Sequence, residues 1–347
     1  MKLDKNVIDT HFHINAWYDK FGNNYIDLLN DIQKKTDLKG ININALTHEK
    51  HGGVKINIMA AIYKLYNPSV YAHADIFFPA TPVPTPLDAK LLPEIQYDDF
   101  MEIGFDGIKI LYKPDVQKII DLPINSITFD NFFKKCEKDK THVIWHVADP
   151  KIHWTADFPN KEWNYSDGTF PSFDELFNHT FDVLNKYPSL NVCFAHFMFM
   201  EETPEKLEEI FKRYENVAVD VVPGLMFREF EKRPEFYREF LSKYSDRILF
   251  GSDSEIPANS HSIELINAIY DGLTTDKEVN IWGYKSKGIN LSDSVSEKIL
   301  YKNFASRCSD TPKPINKSAL KKYIEKYSDY IEESPEKAEI LKFAKSL

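Results

Sequence analysis

The sequence predicts a single α/β domain of the closed (β/α)8, or TIM-barrel, class. Three observations predict it. Eight short apolar runs recur along the 347 residues, and several are continuous in Val and Ile, as strands covered on both faces are. Helix-like segments alternate with them, which argues for a parallel sheet. No glycine-rich phosphate loop follows the first run, so a doubly wound sheet is the weaker fit, and eight such units suggest closure into a barrel.

In chain order the strands are "NVIDTHFHI", "GININALTH", "SVYAHADIFF", "GIKILY", "THVIWHVA", "NVCFAHF", "VAVDVV" and "RILFGSD". Between the first two, "NNYIDLLNDIQKKTDLKG" carries Ile26, Leu29 and Ile32 at helical spacing and stops at Gly40. Before the fifth, "TFDNFFKKCEKDK" sets Phe129, Phe132, Phe133 and Cys136 on one stripe. Before the sixth, "SFDELFNHTFDVLNKYPSL" opens with Ser172 and has Glu175 three residues on, a capping-box pattern. Before the seventh, "TPEKLEEIFKRYENV" places Pro204 in the first turn, where proline is tolerated. Long loops are expected at 149–172 and 254–291, both on the side where a barrel builds its site. After Ser309 the chain continues through "TPKP" into polar helix. The expected division is a barrel over 1–310 and a C-terminal helical extension over 311–347, packed on the barrel.

Composition narrows the function classes. The net charge is -10, and no Lys/Arg stripe is present, so nucleic acid is not expected as a partner. The apolar runs fall far short of the roughly 20 residues a membrane span needs, and no signal peptide is readable. Cys136, Cys193 and Cys308 form no CxxC pair, so reduced thiols in the cytoplasm are expected. The expected partner is a small-molecule substrate; a homodimer is left open.

Side chains alternate along a strand, so His11 and His13 share a face with Asp9, while Ile8, Thr10, Phe12 and Ile14 take the other. The helices outside want the apolar set, which turns the histidines to the barrel axis. Two unpaired imidazoles there would be costly, and a shared metal ion removes the cost. His146, His196 and Asp253 each follow an apolar run, where a barrel strand meets its catalytic loops. His48 and His51 lie near the same mouth, on a solvated loop or in reach of substrate. His73 and His142 lie too early in their strands and read as structural. His153, Trp154, Trp163 and Tyr165 crowd the loop after strand five. They form either a lid over a planar substrate or pins holding the loop to the barrel. Arg228 could grip a substrate carboxylate or belong to the surface.

The motifs "DTHFH", "GFDGIKIL", "WHVADP", "FAHF", "RILFGSDS" and "EKILYKNFASR" fall in one order across residues 6–308. Together they resemble the amidohydrolase-related branch (amidohydrolase 2) of the metal-dependent amidohydrolase superfamily. The resemblance implies that His11, His13, His146 and Asp253 bind one divalent ion, zinc first, with manganese or another divalent ion as the alternative. It implies that Asp253 also takes a proton from metal-activated water, and that His196 contacts substrate or that water. Lys109, in "GIKIL", matches the mononuclear branch better than the carbamylated lysine that bridges two metals. A lysine held by buried carboxylates or touching substrate is expected. The implied activity is hydrolysis of an amide, ester or lactone of a small molecule. The alternative on the same site is a non-oxidative decarboxylase or hydratase of an unsaturated or aromatic acid. A third reading, a catalytically silent barrel kept as a binding protein, would require a lost ligand, and none is lost. An arginine aimed at a carboxylate beside the metal would favour decarboxylation.

Overall fold

The computed structural model describes residues 4–14, 23–48, 53–78, 86–256 and 261–347. The predicted barrel is present. Its strands are β1 (Ile8–Ile14), β2 (Gly40–Asn44), β3 (Val70–Asp75), β4 (Gly107–Leu111), β5 (His142–His146), β6 (Val192–Phe194), β7 (Val217–Asp220), β8 (Ile248–Leu249) and β9 (Ser254–Ile256). Neighbours pair in sequence order and in parallel from β1 to β8, and β9 pairs in parallel with β1. The eighth predicted strand is therefore one segment, 248–256, broken in the middle. Its first part pairs with β7 and its second with β1. The break itself is bonded to β1: Thr10 N–H donates to the Phe250 carbonyl at 3.1 Å, and Asp253 N–H to the His11 carbonyl at 2.8 Å. The ring is closed through these contacts.

Local chemistry explains the break. The Asp9 carboxylate accepts the Ser252 N–H at 3.0 Å and its hydroxyl at 2.5 Å, drawing 252 toward β1. Gly251 passes so close to β1 that an added Cβ would sit 2.8 Å from His11 Cβ and 2.5 Å from Val222 Cγ2. Asp253 then turns into the left-handed region, φ +58, which few non-glycine residues adopt. Gly251→Ala is expected to destabilise the protein by about 1–3 kcal/mol, as overpacking of a tight interior does. A lowered midpoint in urea unfolding checks this, and an unchanged midpoint would show that the contact gives way.

Inside the ring, Ile8, Tyr71, Ile144, Cys193, Ala218 and Leu249 pack as one cluster with Phe304. Ile8 was placed outside by strict alternation. The structure turns it inward because the β1–β2 register shifts between Asp9 and Phe12, and such a bulge resets which face a side chain takes. Phe12 and Ile14 join the outer core beneath the helices, as expected.

The four helices read from the sequence are present as Asn23–Thr36, Asp130–Lys138, Phe173–Lys186 and Pro204–Arg213. The capping box at Ser172 and Glu175 forms in both directions. The stretch 254–291 is not the loop expected. Beyond β9 it holds a helix, Ser262–Thr274, and a hairpin of β10 (Glu278–Ile281) and β11 (Tyr284–Lys287). The helix signal was Leu265, Ile266, Ile269 and Leu273, a buried stripe at helical spacing. The C-terminal region is helical, with Lys317–Tyr327 and Pro335–Ser346. Leu320, Tyr323, Ile324 and Tyr327 bury the first of these against the helices Lys55–Tyr66 and Pro93–Ile103. Among the described residues no helix is long and apolar enough to cross a membrane.

Candidate metal centre

The strand ends carry the predicted polar residues to one mouth. On β1, His13 Nδ1 lies 2.8 Å from the Asn44 carbonyl. A carbonyl only accepts, so Nδ1 carries the proton and Nε2 is left with its lone pair. His11 Nδ1 lies 2.8 Å from Asp220 Oδ2, which fixes the same tautomer. The two Nε2 atoms then meet Asp253 Oδ1, at 3.2 Å from His13 and 3.7 Å from His11. One ligand atom from each of His11, His13 and Asp253 lies within 4.8 Å of the others.

The electrostatics fit a cation. Burial first, and then Lys109, pushes His11 well below the ordinary imidazole range, so it is neutral. Burial alone would raise Asp253, but the facing His13, His196 and Lys109 hold it below the usual carboxylate range. Two lone pairs and a carboxylate oxygen facing one point repel; Lys109 Nζ relieves this at His11 Nε2, and a cation seated among the three donors would relieve it for all of them. Neutral imidazole and carboxylate are the donors that zinc and manganese take, so these residues fit a divalent ion. Lys109, on the inner face of β4 and fully buried, lies with Nζ 2.9 Å from His11 Nε2. Burial pushes its amine down to about 8, against the pull of Asp220, Asp253 and Asp75. The sequence placed it among buried carboxylates or against substrate; its hydrogen-bond contact is with His11.

His146 sits one ring farther out. His196 Nδ1 lies 3.2 Å from the Val222 carbonyl and so donates to it, which leaves His196 Nε2 as the acceptor of the His146 Nδ1–H at 3.1 Å. His146 Nε2 is then a bare nitrogen, buried and without a hydrogen-bond partner among the described residues. It points toward Asp149 Oδ1 at 3.7 Å. The His196 ring lies 5.4 Å from His11 and 4.6 Å from His146, centre to centre, and links the two groups. Burial, then His146, pushes His196 down to about 3, so it too is neutral. The backbone that presents it is strained: His196, Phe197, Met198 and Phe199 all have positive φ, between +51 and +57. Left-handed backbone costs L-residues roughly 1–2 kcal/mol each.

Asp220 was not singled out from the sequence, and it organises the site. One oxygen holds His11, and the other accepts the His196 N–H at 2.7 Å. The available signal was a lone carboxylate inside the apolar run "VAVDVV". Partners that orient ligating histidines typically carry about 10–100-fold in metal affinity. Asp220→Asn is accordingly expected to weaken metal binding by that factor in chelator competition, and unchanged affinity would remove Asp220 from this role. Asp149 was also missed. Burial would raise it, but His146 and Lys113 pull it below the carboxylate range, and it accepts the Tyr165 hydroxyl at 2.6 Å.

The remaining candidates spread outward. Trp154 packs on Tyr165 and Phe173 and donates its Nε1–H to the Pro171 carbonyl at 3.0 Å. His153 is surrounded by Phe158, Trp163 and Tyr165. These contacts pin the loop to itself and, through Tyr165, to Asp149. Arg228 is exposed, with its guanidinium 4.7 Å from the Tyr284 ring centre. It borders a groove shared with Phe173, Glu201 and Phe199, and Phe199 packs on both His146 and His196. His48 lines a cavity with Thr47, Asp75, Phe78, Leu111 and Tyr112. His51 lies outside the described residues. His73 and His142 lie away from the mouth and touch each other.

Residues 8–305 match the family described as Amidohydrolase. No curated relative matches the sequence. Among solved structures, an uncharacterized TIM-barrel protein from Bordetella bronchiseptica matches at 13% identity and TM-score 0.55, covering 88% of this chain and 98% of that one. A 2,6-dihydroxybenzoate decarboxylase from Rhizobium matches at 13% identity and TM-score 0.54, covering 87% and 98%. A dihydroxybenzoic acid decarboxylase from Polaromonas, with bound manganese and the inhibitor 2-nitroresorcinol, matches at 12% identity and TM-score 0.52, covering 87% and 96%.

Proposed function

Because the chain belongs to the amidohydrolase family and is an enzyme of that superfamily, we propose that it is a metal-dependent hydrolase acting on a carbonyl of a small molecule, an amide, ester or lactone. One observation carries the reading. His11 Nε2, His13 Nε2 and Asp253 Oδ1 converge as lone pairs, with both imidazole tautomers fixed from behind by Asp220 and Asn44. His11, His13 and Asp253 would hold one divalent ion, zinc or manganese, and His146 would join them as the fourth ligand by turning its ring from His196 and Asp149. Such an ion acts as a Lewis acid on an oxygen and lowers the pKa of water, toward ~7 in the best zinc sites. Asp253, kept ionised, takes the proton of the attacking water. His196, neutral and with its Nδ1–H held by the Val222 carbonyl, presents Nε2 as an acceptor and would orient the attacking water or a substrate donor. Residues 1–310 form the catalytic barrel, and 311–347 the helical extension that braces it.

A second reading is decarboxylation of an aromatic or unsaturated acid, favoured by the activities named for the Rhizobium and Polaromonas structures. In it, His196 Nε2 or Asp253 would take a proton from solvent and deliver it to the carbon that loses CO2. Arg228, in the groove beside Phe199, would meet the carboxylate, and Trp154 would border the ring. Elemental analysis of the purified protein, followed by a screen of lactones, amides and aromatic carboxylates with that metal form, separates the two. Hydrolysis predicts a new carboxylate without gas release; CO2 release alone, with no hydrolytic product, overturns it. One ion is expected at this mouth. An anomalous map with two peaks about 3.5–4 Å apart there would show a binuclear centre instead.

A further inference from the structure

At the opposite end of the barrel, we propose that His73, His142 and Cys308 form a second metal site that takes a soft, thiophilic cation, monovalent copper above others. The three are brought together by a gap in β4. Gly107 opens that strand between β3 and β5, and a Cβ there would fall 2.3 Å from His73 Nε2 and 2.4 Å from the His142 carbonyl. With no side chain in the way, His73 reaches across β4, and its Nε2 lies 3.0 Å from His142 Nδ1. One ring nitrogen from each histidine and the Cys308 sulfur all lie within 4.8 Å of one another.

The proton inventory favours ligation. Asn42 Nδ2 donates to the Thr10 carbonyl at 2.9 Å and to Asn44 Oδ1 at 3.3 Å. Asn42 Oδ1 is therefore the acceptor for the His73 Nδ1–H, at 2.6 Å. His73 Nε2, oriented from behind as ligating histidines usually are, accepts the His142 Nδ1–H at 3.0 Å, so an ion seated between the two rings requires that proton to move to His142 Nε2. His142 Nε2 is buried with no hydrogen-bond partner among the described residues. Burial keeps both imidazoles neutral, His142 down to about 3. Cys308 is only half-buried, which gives an ion a way in and the thiol proton a way out.

The donor set and its charges select the ion. Two imidazoles and a thiolate are soft donors, and soft donors select copper(I), zinc and their like over magnesium or calcium. The nearby Asp106 carboxylate is already engaged by Lys64 and by the backbone N–H groups of Ala72 and Lys313, and the Cys308 thiol donates to the Asp106 carbonyl at 3.6 Å. Lys64 pairs with Asp106, and Lys313 adds positive charge facing His73 and Cys308. On binding, the S–H bond breaks, the proton leaves to solvent and a sulfur–metal bond forms. A thiolate with a monovalent ion leaves no net charge in this interior, whereas a divalent ion leaves one unpaired positive charge, which burial disfavours.

The test loads the purified full chain with copper(I) under anaerobic conditions and challenges it with a chromophoric copper(I) chelator. Retained copper and the thiolate-to-copper ultraviolet band are read together. The centre at the mouth has no sulfur and Cys136 and Cys193 are buried, so loss of the band in Cys308→Ser assigns it to this site. Wild type and His11→Ala are expected to hold one copper and show the band. Cys308→Ser is expected to lose the band and at least ~10-fold in affinity, as loss of a metal-site partner commonly does. Should Cys308→Ser fail to fold, His142→Gln is read in its place, with the same expected loss. A wild type that surrenders its copper without a band, or a variant that retains copper as wild type does, overturns the site.

Discussion

Asp253→Asn is expected to retain the shape of the mouth and lose about 10²–10⁴-fold in turnover, the usual cost of removing a general base. The amide is nearly isosteric with the carboxylate and can still occupy the turn at φ +58 that follows Gly251 and Ser252. It is a poor base and a weaker ligand, and it removes the negative charge that His13 and His196 face. Metal content is measured on the variant first, and turnover is then compared at equal occupancy. Full occupancy with near-wild-type turnover would exclude Asp253 as the base and transfer that role to His196, whose Nε2 is unprotonated by the same tautomer argument.

His11→Ala is expected to lose metal and activity together, with turnover falling at least as far as for Asp253→Asn. The substitution deletes one of the three converging donors and also strands Asp220, a fully buried carboxylate whose Oδ2 has His11 as its partner. Burial already raises Asp220, so without the imidazole it is expected to take up a proton rather than remain charged. The pattern differs from that of Asp220→Asn in a way that can be measured. Excess metal should restore activity to Asp220→Asn, because all donors remain and only their orientation is loosened. It should not restore His11→Ala, and recovery there at high metal would show that His11 is not a ligand.

Much of the fold was legible because it rests on periodicity. The eight apolar runs, the alternation that pairs His11 with His13, and the Ser172 capping box are short-range patterns, and each survives in the structure. The errors came where alternation was applied too strictly. Ile8 turns inward because a bulge follows it, and the stripe from Leu265 to Leu273 was passed over inside a presumed loop. The site was legible at the strand ends, where a polar residue closes an apolar run. It was not legible where a partner comes from a distant strand. Asp220 is 209 residues from His11 in the chain, and only the ring of strands sets them 2.8 Å apart.

The sequence by itself determined the parallel barrel, the two inward histidines and the family to which the chain belongs, because strand alternation and the motif order are local properties of the chain. The tertiary structure decided the rest. Closure through a broken eighth strand set Asp253 against β1, Asp220 chose the tautomer of His11 and held the strained turn at His196, and the gap at Gly107 let His73 meet His142. Each of these depends on which atom of one strand stands opposite which atom of another. That is fixed by register and burial around the whole ring, and no segment of the chain carries it alone.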